Sequence, residues 1–214
     1  MQQQVAIMPE KLIEVRENNI SNAEWEQINP KDLWIYNKLE LSRRLEYICG
    51  PSGVSVPTPG HYIVRPVINF SGMSRHSRIE WLDCSTDHLH PGEFWCEILA
   101  GEHLSVDFYE KSPKLIVKGH KNPKNPLYKW NCWTKVNRNI EFPDILNDLI
   151  EKYSVINCEF IQNKLIEVQI RPNLDFRWGN SVSIPVWKGT NLSLPAEFKF
   201  VKDEDYHRIG FFIK

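Results

Sequence analysis

The 214-residue sequence predicts an α+β fold in which most strands are antiparallel. Short apolar runs bounded by Gly, Pro and Asn recur along the chain, a pattern typical of strands connected by turns. Residues 37–48 and 143–153 have the apolar spacing of helices. The runs 158–161 and 165–171 are separated by three polar residues, which predicts two neighbouring antiparallel strands. Many short strands and few helices together indicate the α+β class.

Composition and charge argue against several classes of protein. The net charge of −1 gives no bulk attraction for nucleic acid or an anionic membrane, so neither is expected as a partner. The stretch 111–135 is basic and aromatic, which suits single-stranded nucleic acid, but the total charge argues against that use. No apolar run is long enough to cross a bilayer. The first residues lack a basic segment followed by an apolar one, so no signal peptide is predicted. The five cysteines are scattered and show no CxxC spacing, so we expect them to be reduced in a cytoplasmic protein.

The first predicted helix covers residues 37–48. Asn37 is suited to cap its N-terminus, with Glu40 at the third helical position. Gly50 and Pro51 predict its end. The apolar residues that repeat at helical spacing are Leu41, Leu45 and Ile48.

Between the two helices the sequence predicts a series of strands. One of them ends at Pro66, which cannot donate to a ladder, and a polar loop around Gly72 follows it. The segment 93–109 is predicted as strand, tight turn, strand, with Glu97 and Glu102 flanking the turn. The other predicted strands are 61–64, 78–82, 115–118, 130–136, 184–187, 196–202 and 209–213.

The strand pair near residue 160 has the most informative pattern. Because side chains alternate between the faces of a strand, a turn at 162–164 places Glu159 directly opposite Glu167. Gln169 and Arg171 continue the same row. Opposed like charges destabilise a strand pair, whereas two carboxylates and a carboxamide suit Mg²⁺, which prefers oxygen ligands. The alternative is an ordinary solvated face.

Four stretches, in this order, resemble segments of the ATP-grasp family of ATP-dependent ligases. NKLELSRRLEYICGPSGVSVP, from residue 37, resembles the segment in which an Asn-Lys or Asp-Lys pair opens a helix before a Gly-Val-Pro link. YIVRP, from residue 62, resembles the strand before the phosphate-covering loop. CEILAGEHLSVDFY and NCEFIQNKLIEVQIRP, from residues 96 and 157, resemble the hinge strand and the magnesium-binding strands. The chain also resembles short ATP-grasp-like proteins of tailed bacteriophages.

The resemblance implies a role for each matching residue. Lys38 and Arg65 would contact the phosphates of ATP, and Arg65 can form two parallel hydrogen bonds to one group. Glu97 and Glu102 would bind the base and sugar end of the nucleotide, with Leu99 against the purine. The residues that would act at the transferred phosphoryl group are Glu159, Glu167 and Gln169, as magnesium ligands, and Arg171, which would neutralise developing charge.

The implied activity is that of an ATP- and Mg²⁺-dependent ligase, which activates an unknown carboxylate as an acyl phosphate for attack by an amine or thiol. The predicted division is an N-terminal extension (1–34), a small phosphate-loop and hinge subdomain (35–110), and a large metal-binding subdomain (111–214). The nucleotide cleft would lie between the two subdomains. The alternative is a catalytically reduced nucleotide-binding protein with a regulatory or interaction role.

Three departures from the family pattern bear on this reading. Gln169 stands where the family has Asn, and the phosphate loop has Gly72 without a second glycine. Residues 1–34 are too few for the family's substrate domain, so either a partner chain or a second copy completes the substrate site, or that site is reduced, or catalysis has been lost. Glu167→Ala is predicted to abolish Mg²⁺-dependent nucleotide binding and, since it removes a like charge, to leave the fold intact.

Overall fold

The computed structural model describes residues 28–68, 75–190 and 193–214. Its 3₁₀ helices are Pro30–Tyr36, Asp144–Leu146 and Leu174–Phe176, and its α-helices are α1 (Lys38–Arg44) and α2 (Asn147–Ile150). The strands are β1 (Cys49–Pro51), β2 (Gly60–Pro66), β3 (Arg78–Leu82), β4 (Glu93–Cys96), β5 (His103–Tyr109), β6 (Ser112–His120), β7 (Cys132–Lys135), β8 (Ile156–Ile161), β9 (Lys164–Gln169), β10 (Val182–Trp187), β11 (Lys199–Asp205) and β12 (Arg208–Ile213). Gly72 with its loop, and most of the predicted N-terminal extension, lie outside the described residues.

Within the described residues the strands form two antiparallel sheets, which confirms the α+β class. The first sheet has the order β1-β4-β2-β3 and the second the order β11-β12-β10-β7-β6-β5-β8-β9. None of the helices in these ranges is long and apolar enough to span a membrane.

The segment 93–109 contains two strands as predicted, but the predicted tight turn between them is wrong, because residues 97–102 form a longer link. β4 pairs with β1 and β2, whereas β5 pairs with β6 and β8, so the two strands belong to different sheets. The linker 97–102 connects the sheets, one strand before the predicted subdomain division at residue 110. Gly101 in this linker has a φ of +133°, and a Cβ there would lie 2.4 Å from the Gln162 side chain.

The first helix begins as predicted but is shorter. The Oδ1 atom of Asn37 accepts a hydrogen bond from the Glu40 N–H at 2.9 Å, as expected of an N-cap. The helix then ends at Arg44, Glu46 turns the chain with a φ of +59°, and Ile48 is 53% exposed. The predicted residues 45–48 are not helical, although their apolar residues have helical spacing, because the chain must turn so that residues 49–51 can pair with β4 as strand β1. The second predicted helix, 143–153, likewise reduces to one 3₁₀ turn and one α-helical turn.

The strand pair β8–β9 has the predicted register but a different turn. Glu159 is the Cα partner of Glu167, as predicted. The turn consists of Gln162 and Asn163, both with positive φ, and not of three residues. A bulge between Glu159 and Phe160 adds the missing residue and restores the register.

Helix α1 lies where the two sheets meet. Leu41 packs in the core of the second sheet, with Val106 and Phe108, whereas Leu39 packs with Phe94 and Cys96 of the first sheet. The hydroxyl of Tyr47 extends this contact by donating to the Leu165 carbonyl of β9 at 3.0 Å. The first residue of the helix, Lys38, is therefore held between the sheets.

Candidate functional site

Polar side chains form two rows across β5, β8 and β9 on the face opposite the core. The first row is Ser105, Glu159 and Glu167, and the second is Asp107, Asn157 and Gln169. The rows arise because polar and apolar residues alternate along all three strands, as in the sequence HLSVDFY of β5. An antiparallel sheet often has one solvated polar face, but here Ser105, Asp107 and Asn157 are buried, so this polar face is partly covered by the rest of the chain.

The centre of the site is an ion pair that crosses from α1 to β9. Lys38 Nζ donates to Glu167 Oε2 at 2.7 Å, and the two side chains are only 5% and 14% exposed. Gln169 Nε2 donates to Glu167 Oε1 at 3.1 Å. Burial by itself raises the pKa of Glu167, but the Lys38 charge and hydrogen bond, the Arg65 charge and the Gln169 amide outweigh it. The pKa of Glu167 is therefore held below its ordinary value, and the carboxylate is charged.

Arg65 brings a second cation to this place from the first sheet. It lies on β2, is 7% exposed, and its guanidinium stands 5.2 Å from the centre of the Phe94 ring. Its Nε atom is buried and has no hydrogen-bond partner among the described residues. A buried donor without a partner is costly, so the site retains hydrogen-bonding capacity for an anion.

The glutamate opposite Glu167 has a partner of its own. Glu159 Oε2 lies 3.0 Å from Nε2 of His103, whose ring packs edge-on against Trp130 and Trp133 at centroid distances of 4.7 and 5.5 Å. With Lys38 and His103 as partners, the opposed glutamates do not by themselves require a metal. Glu167→Ala remains predicted to abolish Mg²⁺-dependent nucleotide binding, but removal of a like charge is no longer a reason to expect an intact fold, because the change leaves the buried Lys38 ammonium without its acid partner.

A buried acid that the sequence interpretation missed lies in the second row. Asp107 accepts a hydrogen bond from Asn157 at 2.7 Å, and both of its oxygens accept from the Asn173 main-chain N–H, at 2.9 and 3.1 Å. Burial raises the pKa of Asp107 above its ordinary value, although these bonds and the Arg171 charge act in the opposite direction. The alternation of His103, Ser105 and Asp107 with apolar residues is the sequence signal that identifies this row.

The structure places Arg171 toward this second row. Its Nη1 donates to the Pro172 carbonyl at 3.2 Å, and its charge opposes, without cancelling, the rise that burial causes in the pKa values of Asp107 and Asp175. Arg171 is therefore close enough to Asp107 and Asp175 for its charge to act on both carboxylates.

The three predicted hinge residues lie together on the linker between the sheets. Glu97 Oε1 accepts from the Ile48 N–H at 3.0 Å, and Leu99 is half-buried. Glu102 pairs with Lys118 and Arg138, whose hydrogen bonds lower the pKa of Glu102 to about 2. Both carboxylates are thus bound by groups of the chain itself.

The donor set of the site fits a hard cation assisted by further oxygen ligands. Among the described residues no three His, Cys, Asp or Glu side chains are grouped to hold a metal. Glu159, Glu167 and Gln169 offer two carboxylates and one amide. These are oxygen donors of the kind that Mg²⁺ prefers, and they fit the ion only when further oxygens, such as those of a phosphate, complete the shell and Lys38 no longer occupies Glu167.

Comparisons with known proteins give structural likeness only. No protein-family model matches the chain, and no curated protein matches its sequence. A protein from Archaeoglobus fulgidus, described as of the ATP-grasp superfamily, is similar with a TM-score of 0.48 and 13% identity over 84% of this chain and 64% of its own. The ATP-grasp ligase PsnB, in a complex with a precursor variant, Mg and ADP, has a TM-score of 0.40 and 13% identity over 79% and 64% of the two chains.

A third similar structure is D-alanine–D-alanine ligase from Bacillus anthracis, with a TM-score of 0.35 and 12% identity over 68% of this chain and 59% of that one. The chain thus spans 64% or less of the length of these three proteins. Two of them carry the family name that the sequence resemblance gave.

Proposed function

We propose that this protein is an ATP-grasp protein that binds ATP and Mg²⁺ between its two sheets, where Lys38, Arg65 and Glu167 meet. The observation that carries the proposal is the buried Lys38–Glu167 pair at 2.7 Å, with the Arg65 charge close enough to lower the pKa of the same carboxylate. Two buried cations and an acid that converge from separate elements are typical of a site for a polyphosphate with its metal.

Lys38 has two alternative partners in this proposal. Without nucleotide its ammonium is held by Glu167, and with nucleotide a phosphate takes over the ammonium and frees Glu167 for the metal. Glu167, Glu159 and Gln169 then provide the protein oxygens for Mg²⁺. Because Lys38 competes with the metal, Mg²⁺ alone is expected to bind weakly, and binding of metal and nucleotide should be coupled.

Arg65 is proposed to bind phosphate through its guanidinium, including the Nε donor that has no partner among the described residues. Glu97, Leu99 and Glu102 are proposed to receive the base and sugar. Because Glu102 is held by Lys118 and Arg138, a sugar hydroxyl would join an existing hydrogen-bonded group.

The proposed activity is that of an ATP-dependent ligase. Bound ATP would supply a phosphoryl group to a substrate carboxylate, giving ADP and an acyl phosphate, from which an amine or thiol displaces phosphate. The chain's own contribution is to position the groups and to stabilise negative charge, for which Arg171 is the proposed additional cation. A partner chain or a second copy is proposed to complete the substrate site.

The placement of Arg171 favours a second candidate, a nucleotide-binding protein without turnover. In the structure its charge acts on Asp107 and Asp175. If it stays there when nucleotide binds, the site lacks that cation at the phosphoryl group and would serve regulation or interaction.

Calorimetry with a non-hydrolysable ATP analogue and with adenosine tests the proposal. Arg65→Met is expected to weaken the analogue at least about tenfold and to leave adenosine unchanged, since a charged hydrogen bond contributes about 1.5–3 kcal/mol. Arg44→Met is the matched control, because Arg44 also lies over an aromatic ring, that of Trp34 at 4.1 Å. Equal losses for the two ligands, or no Mg²⁺-dependent binding by the unmodified protein, would contradict the proposal. ADP release with a panel of carboxylates then separates the ligase from the second candidate.

A further inference from the structure

A cavity of about 520 Å³ lies apart from the Lys38–Glu167 pair. It is open to solvent and is bordered by residues 75–79 at and before the start of β3, the loop between β6 and β7, and the turn between β11 and β12, so both sheets contribute to its wall. Its volume is within the range of roughly 300–1,000 Å³ that small-molecule sites occupy. The residues that carry the argument are Arg75, Arg78, Ile79, Tyr128 and Tyr206.

The charged side chains that line the cavity are all basic. Arg78 is held by Glu80 and by both oxygens of Glu93, at 2.6 to 3.2 Å, and Arg75 pairs with Asp205. None of these three carboxylates lines the cavity. The three acids offset the charge of the two guanidiniums, so the cavity offers an anion hydrogen-bond donors and no surplus of positive charge. One such donor is Nε of Arg75, which has no hydrogen-bond partner among the described residues. Such a site suits one negative charge better than the two of a phosphate.

The rest of the wall is aromatic and apolar. The Arg75 guanidinium stands 4.2 Å from the centre of the Tyr206 ring, and Tyr206 meets Tyr128 edge-on at 5.9 Å. Tyr128 in turn packs against Trp187 at 5.8 Å, which fixes its ring. Tyr206 is 54% exposed, so much of its surface is free to contact a ligand.

We propose that this cavity binds a small monocarboxylic acid with an aromatic or apolar body. The carboxylate would accept hydrogen bonds from Arg75, the guanidinium with a single acid partner, and the body would lie against the rings of Tyr128 and Tyr206 and the side chain of Ile79. Ile79 pairs with Ile63 on β2, two residues before Arg65, so the bound acid would stand on the face of the first sheet that also carries Arg65.

Calorimetry of the full chain without nucleotide tests the cavity directly. The probes are 3-phenylpropanoate, the neutral 3-phenylpropanamide, acetate and inorganic phosphate. 3-Phenylpropanoate is expected to bind at least about tenfold more tightly than each of the others, since it alone combines the charge with the ring. Equal binding of the amide, tighter binding of phosphate, or no binding of 3-phenylpropanoate would overturn the proposal.

Substitutions locate the binding. Arg75→Gln is expected to reduce affinity for 3-phenylpropanoate about tenfold, and Arg75→Lys to restore part of it. Arg177→Gln is the matched control, because Arg177 pairs with Asp203 of the same strand β11 and lies 4.5 Å from the Trp178 ring, but does not line the cavity. An equal loss in Arg177→Gln, or no loss in Arg75→Gln, would contradict the assignment.

A second pair of variants tests the aromatic wall. Tyr206→Ala is expected to weaken 3-phenylpropanoate several-fold and to leave acetate unchanged, whereas Tyr206→Phe should bind as the unmodified chain does. An unchanged affinity in Tyr206→Ala would remove the ring from the site. Because no ATP is present, failure here leaves the nucleotide proposal standing, and failure of ATP binding leaves the cavity proposal standing.

Discussion

The carboxylates of Glu167 and Glu102 both have lowered pKa values, but the first is nearly buried and the second is in contact with solvent. Glu167 is almost buried, and its partner Lys38 comes from the helix between the sheets. Glu102 is well exposed, and its partners Lys118 and Arg138 are in contact with solvent. Buried pairs are costly to break, whereas exposed pairs contribute little. The low pKa of Glu102 is therefore not a sign that its ion pairs stabilise the fold. The buried Lys38–Glu167 pair, in contrast, is expected to contribute to both the stability of the fold and the binding site.

The largest expected effect is that of Lys38→Met, which leaves the Glu167 carboxylate buried without its cation. We expect the free energy of unfolding to fall by about 3–5 kcal/mol, measured by urea denaturation at neutral pH. The double variant Lys38→Met/Glu167→Leu should recover most of this loss, because neither charge is then left unpaired. A fall in the free energy of unfolding of less than about 1 kcal/mol would show that this pair contributes no more than an ordinary exposed salt bridge.

The next effect is a pH dependence that separates two buried acids. Since the folded pKa of Glu167 lies below its ordinary 4.5, the unfolded chain takes up the proton first as pH falls, and the stability from this group is lost in that range. The stability difference between the unmodified chain and Glu167→Gln should therefore narrow on acidification below pH 4.5.

Asp107 should show the opposite sign. Its folded pKa is raised, so its ionised form is the less stable one in the fold, and the unmodified chain should lose stability relative to Asp107→Asn as pH rises through that pKa. Thermal unfolding across acidic pH measures both differences. If the stability differences of the two variants from the unmodified chain changed in the same direction with pH, the opposite pKa shifts of Glu167 and Asp107 would be contradicted.

A smaller effect is expected in the linker that carries Glu102. Gly101→Ala combines a φ of +133° with a Cβ only 2.4 Å from the Gln162 side chain, and should cost about 1–3 kcal/mol. Gly53→Ala is the control, since Gly53 has a φ of +81° but nothing within 4 Å of an added Cβ. Equal losses in urea denaturation would mean that the close contact with the β8–β9 turn contributes nothing.

The smallest effect is expected at Glu102 itself. Lys118→Gln removes one of the two partners of Glu102 and should change the free energy of unfolding very little, because ion pairs in contact with solvent contribute little to stability. The change should shrink further in high salt, because exposed charges are screened. A large fall in the free energy of unfolding that does not depend on salt would show that the Glu102 pair stabilises the fold as a buried pair does, in spite of its exposure.

Local alternation was enough to predict that Glu159 lies opposite Glu167, but it identified neither the buried acid Asp107 nor the partners of the two glutamates. Glu159 opposite Glu167 follows from period two alone, and the bulge and two-residue turn give the same register as the predicted three-residue turn. The partners Lys38 and His103 are distant in sequence, so their pairing depends on how the sheets and α1 pack. For the same reason the strands on either side of Gly101 had the pattern of a hairpin, although each finds its neighbours in a different sheet.

The most direct test of the central claim is a crystal structure with a non-hydrolysable ATP analogue and Mg²⁺. We expect the triphosphate to lie between the sheets, in contact with Lys38 and Arg65. Mg²⁺ should be bound by Glu159, Glu167 and Gln169, and the Lys38 ammonium should have moved from Glu167 to a phosphate. Nucleotide bound elsewhere, or an unchanged Lys38–Glu167 pair with the triphosphate in place, would contradict this claim.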